Sequence, residues 1–134
     1  MEILKCRKVS GGKSSARTLV SSHAISFYGG VDPETGTVME KGHPLEGKCM
    51  AGKVLVFPQG KGSTVGSYTM YRLSKNGSAP AAIINKECEP IVAVGAIISE
   101  IPCVDKVDID KIADGRLVEV DADSGKVTLL DPNP

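Results

Sequence analysis

Residues 60–66 read Gly60-Lys61-Gly62-Ser63-Thr64-Val65-Gly66, three glycines set around two hydroxyls and one cation. The loop follows the apolar run Lys53–Phe57 and Pro58, and it precedes Ser67–Ser74. Lys53–Phe57 has the length and composition of a buried strand. Tyr68, Tyr71 and Leu73 predict one side of a short helix over Ser67–Ser74. Strand, glycine loop and helix in that order can hold an anion. A helix N-terminus leaves backbone N–H groups unpaired and carries partial positive charge, and small residues let a phosphate or carboxylate come close. Gly62, Ser63 and Thr64 are therefore candidate binding residues. The spacing is not that of a Walker A loop, and it misses the dinucleotide GxGxxG pattern by one residue. Ser63 has two readings. It caps the turn, as serine commonly does, or backbone N–H donors around its oxygen ease loss of its proton and make it a base.

A second glycine-rich stretch, Gly29–Gly36, follows Ser26-Phe27-Tyr28. Two aromatics before paired glycines point to a backbone that approaches another group closely, so Gly29 and Gly30 are candidate substrate contacts. Asp32 and Glu34 flank Pro33 in what reads as a turn, where such residues are expected on local grounds alone. His23 and His43 are 20 residues apart and share no ligand spacing. Each is read as a surface or capped histidine before a catalytic one. Cys6, Cys49, Cys88 and Cys103 are separated by 43, 39 and 15 residues. None forms the close pair that zinc and iron–sulfur sites recruit, so we expect free, mostly buried thiols and no metal held by this chain.

The positioning elements follow from turn signals and periodicity. Gly11–Ser15 reads as a loop and Ala16–Ser22 as a short strand. Gly42–Gly47 and Asn76-Gly77 read as turns, and Ala81–Ile84 as a buried strand. Apolar residues at 91, 92, 94, 97, 98 and 101 fit a helix opened by Pro90 and closed before Pro102. Cys103-Val104 is a short strand. Asp108 caps a single helical turn that Gly115 stops. Residues 117–120 and 126–130 form a hairpin, and Asp131–Pro134 a frayed tail. The sum is a β-rich α/β protein, a compact barrel-like single domain over residues 1–134 with seven or eight short strands and two or three helices.

Composition narrows the function. Lys plus Arg is 16 and Asp plus Glu is 16, a balance that argues against nucleic-acid binding through phosphate. Aromatics are 4% with no Trp, too few for a base-stacking platform. No apolar stretch reaches the length of a membrane span, and no apolar run follows the basic residues of Met1–Ser10, so a cytoplasmic location is expected.

Taken in order, Ser26–Gly36, His43-Pro44-Leu45, Pro58–Ser63, Ala79-Pro80-Ala81-Ala82, Glu89-Pro90-Ile91 and Gly95-Ala96 resemble the small subunit of the aconitase X family. The resemblance implies the swivelling β/β/α domain of the aconitase superfamily. It implies a separate large subunit as partner, and in that partner a 4Fe-4S iron–sulfur cluster. It implies a hydro-lyase acting on a small molecule, removing water from (R)-5-phosphomevalonate to give trans-anhydromevalonate 5-phosphate in the archaeal mevalonate (isoprenoid) pathway. In aconitases a serine of a Gly-Ser-Ser-Arg loop acts as base. Ser63 matches the first serine, Thr64 replaces the second, and Val65 stands where the arginine would be. Without that arginine, Lys61 becomes the candidate anion contact. A cis-3-hydroxy-L-proline dehydratase subunit is the alternative within the family, and a non-catalytic anion-binding or scaffold module is the alternative outside it.

Overall fold

A computed structural model describes residues 2–130; the tail expected at Asp131–Pro134 lies outside them. In chain order the strands are β1 (Glu2–Lys5), β2 (Arg7–Ser10), β3 (Lys13–Val20), β4 (Val54–Phe57), β5 (Ala82–Asn85), β6 (Cys103–Asp105), β7 (Leu117–Asp121) and β8 (Lys126–Leu129). Helix α1 (Gly66–Lys75) joins β4 to β5, and α2 (Pro90–Ser99) joins β5 to β6. The sheet order is β1-β8-β7-β3-β4-β5-β6-β2. β3, β4, β5 and β6 run parallel, and the outer pairings are antiparallel.

The two outermost strands are consecutive in the chain, with Cys6 alone between them. Laid flat, eight strands would hold their edges about 34 Å apart at the usual interstrand spacing. Two residues of extended chain span about 7 Å. The sheet must therefore curl until its edges come together, which is the barrel-like β-rich α/β architecture expected from the sequence.

Alternation along the parallel strands divides the core. Val54 and Val56 of β4 and Ala82 and Ile84 of β5 join Val104, Val118, Val120 and Val127 in one cluster. Leu55, Phe57 and Ile83 point the other way, toward Met70 and Leu73 of α1 and Val92 and Ala96 of α2. Both faces of these strands are buried, as their continuous apolar runs require.

Two expectations need correction. β3 begins at Lys13, inside the stretch read as a loop, because Lys13–Arg17 pairs with β7 and the ladder supplies the partners its polar backbone needs. In α1 the inward residues are Thr69, Met70 and Leu73, whereas Tyr68 is 66% exposed. Tyr68 lies on the outer face, where its ring meets Tyr71 edge-on.

β2 is fastened to β6 by charge. Arg7 donates to both carboxylate oxygens of Asp105, at 2.8 and 2.7 Å, and the Cys88 amide donates to the same carboxylate at 2.8 Å. Burial pushes the Asp105 carboxyl up, but the Arg7 guanidinium, the Cys88 amide and Lys106 together hold it below its ordinary value. A carboxyl depressed in the folded state stabilises above its unfolded pKa, and that stabilisation is lost as pH falls through the folded one. Arg7→Ala should accordingly lower the urea midpoint by about 0.5 M at pH 7. Its deficit against wild type should narrow progressively as pH is lowered below the ordinary carboxylate range; urea titrations at neutral and acid pH check this.

Candidate active-site loop

The loop after β4 is set in place by its neighbour in the parallel sheet. Beyond β3 the chain continues alongside it: Ser21 N–H donates to Val56 O at 2.8 Å, Ile25 N–H to Gln59 O at 3.2 Å, and Lys61 N–H to Ile25 O at 3.0 Å. This zipper brings Ser26 against Gly62. The position a Cβ would take at Gly62 lies 2.5 Å from Ser26 Oγ, and Gly62 has φ +90°, so a side chain is excluded on both counts. At Gly60 a Cβ would collide with the Glu89 carboxylate and come within 2.6 Å of Val92 Cγ2. The loop is thus wedged between the β3 extension and the start of α2.

Ser63 is exposed, and its Oγ accepts the Val65 N–H at 3.1 Å. The Ser63 carbonyl accepts the Gly66 N–H at 2.9 Å, so a turn anchored on Ser63 leads into α1. The cap reading and the base reading share this geometry, since the oxygen that caps is the oxygen that receives an N–H donor. The amides of Gly62, Ser63 and Thr64 donate to no group among the described residues. α1 has no acidic side chain in its first turn and carries Arg72 and Lys75 in its last, so its positive end is not neutralised by its own sequence. α2 differs. The Glu89 carboxylate accepts the N–H groups of Ile91 and Val92, both at 2.8 Å, and so occupies that helix end. At α1 the amides of Val65 to Tyr68 are taken by Ser63 Oγ and by the carbonyls of Ser63, Thr64 and Val65, so the donors left for an anion are the loop amides of Gly62, Ser63 and Thr64.

The other candidates divide. Lys61 reaches the loop but is paired with Glu40, Nζ to Oε2 2.9 Å, so its charge is shared with a carboxylate. Gly30 lies against its own turn, packed on the Ser26 carbonyl, while Gly29 faces open space. The close approach expected of this pair is made by Gly30, to its own chain. The segment from Pro33 onward leaves the site. Pro33 O and Glu34 O accept from Asn76 and Ser78, beyond the C-terminus of α1, and Asp32 Oδ1 accepts the Glu34 N–H in a local turn. Residues 29–36 therefore do not line one edge together with 60–66; only their first two residues adjoin it.

His43 is a strut. Its Nδ1 accepts the Leu45 N–H at 3.0 Å, and its Nε2 lies 3.0 Å from Ala24 O, an arrangement that fits a neutral ring protonated on Nε2. The exposed His23 ring meets it edge-on at 6.2 Å. No three His, Cys, Asp or Glu side chains gather to hold a metal among the described residues, so the side chains present do not fit an iron–sulfur cluster. The thiols are shielded unevenly. Cys103 is buried, Cys6 and Cys88 are half-buried and Cys49 is exposed, so fewer are buried than the sequence reading expected. Burial, followed by Asp105 and Asp121, pushes the Cys6 thiol up to about 11. A hydrogen bond to Cys88, with burial, pushes Cys103 well up.

Three residues at the site went unread in the sequence: Ser26, Glu40 and Glu89. For Glu89 a signal exists, a carboxylate placed directly before a proline that opens a helix. For Glu40, partnered 21 positions away, no local pattern exists. Beside the loop, a groove of about 250 Å³ is walled by Thr64, Ser67, Pro90, Ile91 and Val94. A roomier hollow of about 410 Å³ near the β3 exit is lined by Asp110 and Asp114, acids that repel an anion.

The profile of the aconitase X swivel domain matches residues 3–129. The phosphomevalonate dehydratase small subunit of Thermococcus kodakarensis is 57% identical over 128 residues, 96% of each chain. The protein of the same name from Methanocella arvoryzae is also 57% identical, covering 94% of this chain and 98% of its own. A crystal structure described as Thermococcus kodakaraensis aconitase X in its holo-form superimposes with a TM-score of 0.96 at 56% identity, covering 98% of this chain and 100% of that one. No helix among the described residues is long and apolar enough to cross a membrane. Sequence and fold agree over almost the whole length, and the chain belongs to the aconitase X swivel domain family.

Proposed function

We propose that this chain is the small subunit of a two-chain phosphomevalonate dehydratase of the cytoplasm. The observation that carries the reading is Ser63 itself. An exposed hydroxyl sits in a loop with unpaired amides just before a helix, in a chain that matches small subunits of that name over almost its whole length. The reaction is loss of water from (R)-5-phosphomevalonate to give trans-anhydromevalonate 5-phosphate. Ser63 Oγ takes the proton from the carbon next to the carboxylate. The electron pair of that C–H bond forms the double bond as the neighbouring C–O bond breaks. The departing hydroxide takes up one proton to become water, and Ser63 gives up the proton it gained, which restores the base and balances the loss of H and OH. The amides of Gly62, Ser63 and Thr64 stabilise negative charge on the serine oxygen or on the substrate carboxylate. Val65 offers no charge at the position where aconitases place arginine, and Lys61 is shared with Glu40, so part of the anion recognition falls to the large subunit. The iron–sulfur cluster belongs in the large subunit, where it would supply Lewis acidity toward the leaving hydroxyl.

The test is anaerobic co-expression with the large subunit and assay of the complex on phosphomevalonate and on cis-3-hydroxy-L-proline. Turnover of phosphomevalonate alone is the expected result. Turnover of the hydroxyproline alone would reassign the substrate. Full activity of the large subunit without this chain would show a non-catalytic module.

A further inference from the structure

Helix α2 contains no charged residue, and its sequence is Pro-Ile-Val-Ala-Val-Gly-Ala-Ile-Ile-Ser. Its inner face, Val92, Gly95, Ala96 and Ser99, packs on α1 and the sheet. Its outer face carries Val94, Ile97 and Ile98, exposed by 49, 55 and 46%. A helix that is apolar on all sides is ordinarily buried on all sides. α1 packs beside α2, and at its start Val65 and Tyr68 are exposed by 48 and 66%. Among the described residues, five of the eight large exposed apolar side chains thus lie on α2 or at the start of α1, and of the other three only Ile3 lies outside the loops that carry Tyr28 and Glu40.

The face adjoins the candidate site. Val65 is two residues beyond Ser63, and the groove between Thr64, Ser67, Ile91 and Val94 runs from the loop onto α2. Ser63 faces solvent, and an alkoxide base exposed to bulk water gains little from its amide donors. A wall is needed on that side. A second copy of this chain seated here would set two identical loops against each other and bring no new chemistry. A large subunit would cover α2 and close over Ser63 in one contact.

We infer that the outer face of α2, continued by Val65 and Tyr68, is the surface on which an apolar face of the large subunit seats. This rests on the two-chain reading above. The test is isothermal titration of purified large subunit with wild-type chain, with Ile97→Asp and with the milder Ile97→Ala, using Ile3→Asp as an exposed control on the far side. Ile97→Asp should weaken binding by at least 30-fold and Ile97→Ala by several-fold. Ile3→Asp should bind as wild type. Thermal unfolding of each free variant should match wild type and shows that the fold is kept. Wild-type affinity in both Ile97 variants would overturn the assignment of the face while leaving the two-chain reading intact. Failure of the wild-type chain to bind any large subunit would overturn both. A stable wild-type homodimer in sedimentation, lost in Ile97→Asp while affinity for the large subunit is unchanged, would give the face to a second copy and overturn the inference.

Discussion

Ser63→Ala is expected to reduce kcat of the assembled dehydratase by about 1,000-fold or more, the scale of losing a general base together with its stabilising donors. The same oxygen also caps the turn before α1, so alanine should cost about 1 kcal/mol of stability. Ser63→Asn separates the two roles. Asparagine caps as well as serine does, but its amide cannot accept a carbon-bound proton at useful strength. The asparagine variant should therefore recover the thermal midpoint and remain inactive. If Ser63 were only a cap, asparagine would restore turnover along with stability. Near-normal kcat in the alanine variant would sink the base assignment outright. Both variants should still bind the large subunit, since removing the hydroxyl leaves Val65, Tyr68 and α2 untouched.

Gly60→Ala is the second large effect. The added methyl collides with the Glu89 carboxylate and with Val92 Cγ2, and neither neighbour is free to move. Glu89 holds two amides of α2, and Val92 is fully buried. The loop cannot retreat the other way, because Ile25 binds it on both sides of Gly60. Overpacking of this kind costs about 1–3 kcal/mol. A displacement of about 1 Å in the loop carries Ser63 out of line and should lower kcat about 100-fold. Thermal unfolding and a single saturating-substrate assay measure both. Wild-type values for stability and kcat together would mean the loop is not wedged where the structure places it.

The parts of the fold legible in the sequence are those governed by local rules. β4 and β5 are short apolar runs buried on both faces, α2 opens on a proline at its first helical position, and the β7–β8 hairpin brackets a turn at 121–125. The loop holding Ser63 could be read because its glycines, hydroxyls and flanking elements are contiguous. The unread parts depend on distant partners. β1 and β2 are four residues each, half or more of them polar or charged and mostly exposed, too short to show a period, and they are strands because β8 and β6 lie beside them. The first half of β3 is polar for the same reason, with alternate residues facing solvent. Tyr68, Tyr71 and Leu73 do not share one side of α1: the two tyrosine rings meet on the outer face, whereas Leu73, two residues past Tyr71, turns into the core. Glu40 and Ser26 reach the site through folding of loops that no periodicity describes.

The one-residue link at Cys6 also limits how this chain can recognise anything. Many proteins capture a partner by adding its strand to an open sheet border, where backbone hydrogen bonds do the work and side chains matter less. Here the borders are four residues each, bear Glu2, Lys5, Arg7 and Lys8, and are drawn together by the link. Such a sheet offers little template for strand addition or for fibrillar growth. Binding by this chain must therefore be read through side chains, and it should change sharply with single substitutions on its helices.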